Sequence, residues 1–173
     1  MNQRPRRNRK SESIRRMVQE TNLSINDFIY PLFIVEGSNI KEEITSMPNI
    51  FRWSLDLLLK EIENCILLGI NSFVLFPAVD DSLKDKVASY SYNSDNFYLK
   101  SIAKIKATFP NICLMSDVAM DPYSSDGHDG LVDNGEILND ETLPILANMS
   151  IAQAQAGIDI IGPSDMMDGR IGS

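Results

Sequence analysis

Short, almost uniformly apolar runs alternate along this chain with segments whose apolar residues recur at helical spacing. Phe28 to Val35 is a β-branched and aromatic run that stops at Glu36-Gly37 and predicts a strand. Leu55, Leu58, Leu59, Ile62 and Ile66 then repeat at helical spacing over 55–68, with Ser54 as N-cap and Gly69 as terminator. Residues 72–77 and 111–116 predict further strands and 96–109 a helix; a helix over 141–156 and a strand over 158–161 follow. The order is β-α-β-α-β-α-β. Strands this apolar are expected where both faces of a parallel sheet are covered.

The strand ends fall near Glu36, Pro77, Asp117 and Pro163, about 40 to 47 residues apart, which suits βα units with long loops. Such units build either an open doubly wound sheet or a (β/α)8 TIM barrel. No glycine-rich phosphate loop follows any strand, which weighs against the nucleotide-binding version. A barrel takes about 250 residues. These 173 residues would supply its first four βα units, and at 43% hydrophobic they can bury one sizeable core.

No apolar run reaches the roughly 18 residues of a membrane span, and the arginine-rich start lacks the apolar stretch of a secretory signal. The expected compartment is the cytoplasm, and Cys65 and Cys113 are expected as buried free thiols. The net charge of −8 is unevenly spread, because residues 1–16 carry seven bases against Glu12 and leave −14 for the rest. A basic arm of this kind binds nucleic acid, serves as a transit peptide or lies on an acidic neighbouring subunit. The arm has no aromatic residue to stack on bases and the body is acidic, so subunit contact is the better reading.

In parallel α/β folds, reactive groups gather at the C-terminal ends of strands. The third strand runs into Asp117 to Gly130, which holds Asp117, Asp121, Asp126, Asp129 and the sole histidine, His128. The fourth ends in Pro163-Ser164-Asp165-Met166-Met167-Asp168-Gly169-Arg170. Clustered carboxylates suit a hard cation such as Mg²⁺, though their order does not fit a calcium-sensor loop. They equally suit a substrate ammonium group or proton transfer. The plain alternative is a solvated turn rich in Asp, Gly, Ser and Pro, and His128 alone reads as a turn or surface residue. Zinc would want sulfur or several imidazoles, which this loop lacks.

At these two segments the chain resembles the porphobilinogen synthase (5-aminolevulinate dehydratase) family. The likeness extends to Arg4-Pro5-Arg6-Arg7, Tyr30-Pro31-Leu32-Phe33, Met47-Pro48-Asn49-Ile50 with Arg52, Leu75-Phe76-Pro77, Lys84-Asp85 and Asn139 to Leu143. The resemblance implies an N-terminal arm over 1–26 for subunit contact and the first half of a TIM barrel over 27–173. It implies condensation of two 5-aminolevulinate molecules to porphobilinogen, in an arm-wrapped homo-octamer that needs no nucleic acid or membrane. Zinc-dependent members carry three cysteines at positions that here are Ala119, Asp121 and Asp129. The resemblance is therefore to the aspartate-type branch, without catalytic zinc and stimulated by magnesium or potassium.

In that branch Asp117, Asp121 and Asp129 would be catalytic and Ser164 substrate-binding. Asp165, Asp168 and Arg170 would surround an allosteric magnesium or tie a loop together by salt bridges. The family's two Schiff-base lysines belong to its second half. Lys41, Lys60, Lys84, Lys86, Lys100, Lys104 and Lys106 are expected in helices or loops, so the chain alone is expected to be inactive. Alternatives are a non-catalytic half-barrel assembly module and an unrelated Mg²⁺-dependent barrel enzyme. A half-barrel should also leave two sheet edges and an apolar face open.

Overall fold

The computed structural model describes residues 6–173. Its main elements are α1 (Glu12–Met17), β1 (Tyr30–Val35), β2 (Lys41–Glu43), β3 (Phe51–Trp53), α2 (Leu55–Leu67), β4 (Ser72–Ala78), α3 (Phe97–Thr108), β5 (Cys113–Val118), β6 (Leu131–Asp133), β7 (Glu136–Leu138), α4 (Asn139–Ala156) and β8 (Ile160–Pro163). One sheet has the order β2-β3-β1-β4-β5-β8, and β6-β7 is a separate hairpin. β1, β4, β5 and β8 are parallel, and each adds on the same side of the one before. A doubly wound sheet reverses direction at a switch point, whereas barrel strands add consecutively. The chain thus forms about four βα units of a TIM barrel.

In β1, β4 and β5 alternate residues are buried beneath the helices: Leu32 and Ile34, Phe73 and Leu75, Leu114 and Ser116. They pack with Leu58, Ile62 and Cys65 of α2, spaced at four and three residues, and with Tyr98, Ile102 and Ile105 of α3. The alternate residues Phe33, Val74, Phe76, Met115 and Asp117 face the barrel interior and are half-buried. Helices therefore cover one sheet face, not both, and the strands are apolar throughout because the other face is the wall of the barrel. This also corrects Cys113, which is free but half-buried on the interior face, while Cys65 is buried as expected.

Two strands begin and end about two residues later than their apolar runs suggest, so that β5 includes Asp117 and β8 ends at Pro163. Pairing carries on through Asp117↔Gly162 and Val118↔Pro163. A polar residue does not end a strand when it points into the barrel. The edge of β1 is not open, because β3 pairs with it in parallel at Phe33↔Arg52 and Ile34↔Trp53, and β2 caps β3. Lys41 accordingly lies in a strand, with its ammonium 4.4 Å and 4.5 Å from the Phe51 and Trp53 ring centres. Ser54 holds the N-cap position of α2, but its hydroxyl accepts from Ile40 N–H at 2.9 Å and donates to Asp56 at 2.6 Å.

Arg4 and Pro5 lie outside the described residues. Of the arm, Arg6–Arg9 forms a 3₁₀ turn and α1 a short helix, and neither buries a residue. No helix among the described residues is long and apolar enough to cross a membrane.

Candidate active site

The C-terminal ends of β5 and β8 lie side by side and carry Asp117 and Ser164. Asp117 points into the barrel at the level where the Phe33 and Phe76 rings stack at 5.4 Å. Burial raises its carboxyl pKa above the ordinary range; the Ser164 hydroxyl pulls it back and the Asp129 charge pushes it up.

Beyond β5 the chain turns sharply. Met120 and Tyr123 are buried, and Tyr123 and Ser124 N–H both donate to Met120 C=O at 2.8 Å. This turn pushes Asp121 outward. Partial desolvation, then the charges of Asp129 and Asp117, push its carboxyl up to about 6. The residue as a whole remains solvent-exposed, so water screens part of that repulsion. The Asp121 and Asp129 carboxyls are close enough to share a proton. The loop after β4 braces the turn: Asp85 N–H donates to Tyr123 C=O at 3.2 Å, and Ser125 N–H donates to Asp85 C=O at 3.0 Å.

Asp129 is brought back by the β6-β7 hairpin that follows it. A Cβ on Gly130 would stand 2.8 Å from Met167 Sδ and 2.9 Å from Ile137 Cγ2, so any larger residue would have to push these side chains aside for the hairpin to pack against the segment after β8. Leu131 N–H donates to the buried Thr142 hydroxyl at 3.1 Å and ties the hairpin to α4.

Asp117, Asp121, Asp129 and Ser164 thus converge from three segments, as their positions in sequence predict. Ala119 is buried beneath them. His128 does not join them through its Nδ1, which accepts from Gly130 N–H at 3.1 Å and closes a turn. Asp165, Asp168 and Arg170 form a separate knot. Arg170 Nε meets Asp165 Oδ2 at 2.6 Å with both side chains buried, and Arg170 Nη1 donates to the Asn139 and Asp168 carbonyls. Asp168 N–H donates to Asn139 Oδ1 at 2.9 Å, so its backbone, not its carboxylate, makes the bonds.

Zinc fits these donors poorly, since no thiol stands among them and the single imidazole, His128, already accepts a hydrogen bond at its Nδ1. Oxygen donors would suit magnesium, but no group of three or more His, Cys, Asp or Glu side chains among the described residues is arranged to hold a metal ion. As they stand, the carboxyls can receive an ammonium group and exchange protons near neutral pH. Sequence reasoning missed Tyr98, whose buried hydroxyl donates to Leu75 C=O at 2.7 Å beneath Asp117, and Gln153, which donates to Asp117 C=O at 2.8 Å. Helical periodicity placed Gln153 in α4 and gave no sign of its partner.

The family described as "Delta-aminolevulinic acid dehydratase" matches residues 2–173. A dehydratase of that name from Chlamydia pneumoniae is 54% identical over 172 residues, covering 99% of this chain and 52% of its own length. One from Bradyrhizobium diazoefficiens is 49% identical, covering 97% and 48%. The crystal structure of delta-aminolevulinic acid dehydratase (porphobilinogen synthase) from Toxoplasma gondii ME49, in complex with the reaction product porphobilinogen, superposes with a TM-score of 0.94 at 46% identity, covering 99% of this chain and 49% of that one. The chain spans about half the length of these relatives. Four consecutive parallel strands joined by helices, carboxyls gathered at their C-terminal ends and a family match over residues 2–173 agree: the chain belongs to the delta-aminolevulinic acid dehydratase family.

Proposed function

We propose that this chain forms the carboxylate side of a porphobilinogen synthase site, which condenses two 5-aminolevulinate molecules for tetrapyrrole and heme biosynthesis. The observation that carries the reading is the convergence of Asp117, Asp121, Asp129 and Ser164 on a scaffold that superposes, at a TM-score of 0.94, on a relative solved with porphobilinogen. Asp121 and Asp129 receive the substrate ammonium group, and the raised Asp121 carboxyl gives and takes protons near neutral pH. Asp117, whose carboxyl pKa burial pushes above the ordinary range, faces the same substrate, and Ser164 orients it by hydrogen bonding.

Aspartates at the positions of the zinc-binding cysteines support the aspartate-type branch, without catalytic zinc and stimulated by magnesium or potassium. Asp165 and Arg170 serve such an ion only indirectly, since they bond each other and Asn139, whereas the exposed Asp168 carboxylate makes no hydrogen bond among the described residues and is open to one. The basic arm docks on a neighbouring subunit of a homo-oligomer in the cytoplasm.

None of the described lysines sits on an inward-facing barrel position: Lys41 lies over Phe51 and Trp53, Lys84 pairs with Asp81, Lys100 with Asp95, and Lys106 with Asp159. The reaction needs amine nucleophiles with depressed pKa values, so the 173-residue polypeptide alone makes no porphobilinogen. A colorimetric porphobilinogen assay tests both parts. The purified chain is expected to be silent. Fused to the C-terminal half of the Chlamydia pneumoniae relative it is expected to turn over, and Asp117→Asn or Asp121→Asn to slow the fusion by about 100-fold or more. Turnover by the chain alone, or a fusion indifferent to both substitutions, would contradict the reading.

A further inference from the structure

We propose that Gln153 is a positioning residue for Asp117: its side chain supplies the hydrogen-bond donor that Pro77 withholds from the strand ladder, and so fixes the peptide from which the site carboxyl projects. Between β4 and β5, Cys113 N–H donates to Asn71 C=O at 2.8 Å, and the register runs from Ser72↔Cys113 to Leu75↔Ser116. In a parallel ladder alternate residues of a strand bond to a given neighbour. After Ser72↔Cys113 and Val74↔Met115 the next such pair is Phe76 with Asp117, and the Asp117 carbonyl should accept from the N–H of residue 77. Residue 77 is proline, which has no N–H.

The ladder accordingly stops at Leu75↔Ser116, although β4 stays paired with β1 as far as Ala78. A buried carbonyl left there would go unpaired. Instead it accepts from Gln153 Nε2 at 2.8 Å, while Gln153 Oε1 accepts from Ser116 Oγ at 2.6 Å. Both residues are closed to solvent, Ser116 at 0% and Gln153 at 1% exposure, and Gln153 lies on the face of α4 that packs Leu146 and Met149 into the core. On α3, Tyr98 holds the last ladder carbonyl, Leu75, in a similar way. The Asp117 carbonyl thus has no donor from β4, while the residue stays paired with β8 and has that carbonyl fixed from α4.

The importance of this for chemistry rests on reading Asp117 as a site carboxyl. The hydrogen-bond exchange itself does not, and the test needs no turnover, so the two ideas fail separately. In the full chain labelled with ¹³C and ¹⁵N, Gln153→Leu is expected to shift both the carbonyl and the carboxyl ¹³C resonances of Asp117 at constant pH and to lower the urea midpoint. Pro77→Ala added to Gln153→Leu restores a ladder donor. It should return both resonances toward wild type, recover most of the lost midpoint and show a protected amide at residue 77. Unmoved Asp117 resonances in Gln153→Leu, or a double variant no better than the single one, would overturn the proposal. Should Gln153→Leu fail to fold, Ser116→Ala loosens Gln153 without removing its donor. It should give the same shifts at smaller amplitude, and their absence there would count equally against it.

Discussion

Three acids crowd one strand end, and that makes folding depend on pH in a definite direction. Asp121 has a carboxyl pKa of about 6 in the folded chain and an ordinary one, about 4, when unfolded. Between those values the folded state holds more protons, so stability falls as pH rises from about 4 to about 6, and the penalty persists above that. Asp121→Asn should be more stable than wild type at pH 7.5 and no more stable at pH 4, by urea unfolding at both; the reverse order would exclude the repulsion. The Asp165–Arg170 pair behaves differently, because its members are almost wholly closed to solvent. Asp165→Ala leaves a buried guanidinium uncompensated and should cost about 3–5 kcal/mol, whereas Asp165→Ala with Arg170→Met should cost clearly less in the same assay. The carboxylates were legible because strand ends mark where reactive side chains collect. Gln153 was not, since a buried amide in a helix looks like any other helix former until its partner is known.

Among the elements, the long helices and apolar strands follow from periodicity, and the two hairpins show where it stops. β6-β7 turns at Asn134-Gly135, both with positive φ, at 50° and 83°. Asn-Gly between short apolar runs is a strong hairpin signal, so this element was present in the sequence. A Cβ on Gly135 would meet nothing within 4 Å, so Gly135→Ala should cost only the backbone penalty of about 1–2 kcal/mol. Gly130→Ala is a different case. It should displace Met167 and loosen the hairpin, and Met167→Ala should relieve part of the loss; amide exchange over 131–138 would report both. β2-β3 left no such trace. Lys41-Glu42-Glu43 has no strand pattern, and it pairs only because β3 finds the edge of β1.

Across the whole molecule the interior face of the sheet stays partly open. Phe33, Val74, Phe76 and Met115 are half-buried, Ile160 is 42% exposed, and the far edge of β8 has no partner among the described residues. Expressed alone, the chain should therefore self-associate as concentration rises. Sedimentation velocity showing only monomer at tens of micromolar would contradict this. Periodicity, apolar runs and acids at strand ends are local properties, and they were enough for a parallel α/β class, the order of its units and the strand ends where the acids gather, while the choice of barrel over doubly wound sheet came from the family resemblance. Tertiary structure settled that helices cover one face of the sheet, that β3 closes the edge of β1, and that Gln153 answers the carbonyl left by Pro77. Each depends on which distant backbone groups and surfaces are still unpaired once the strands have met, and no local stretch of sequence encodes that.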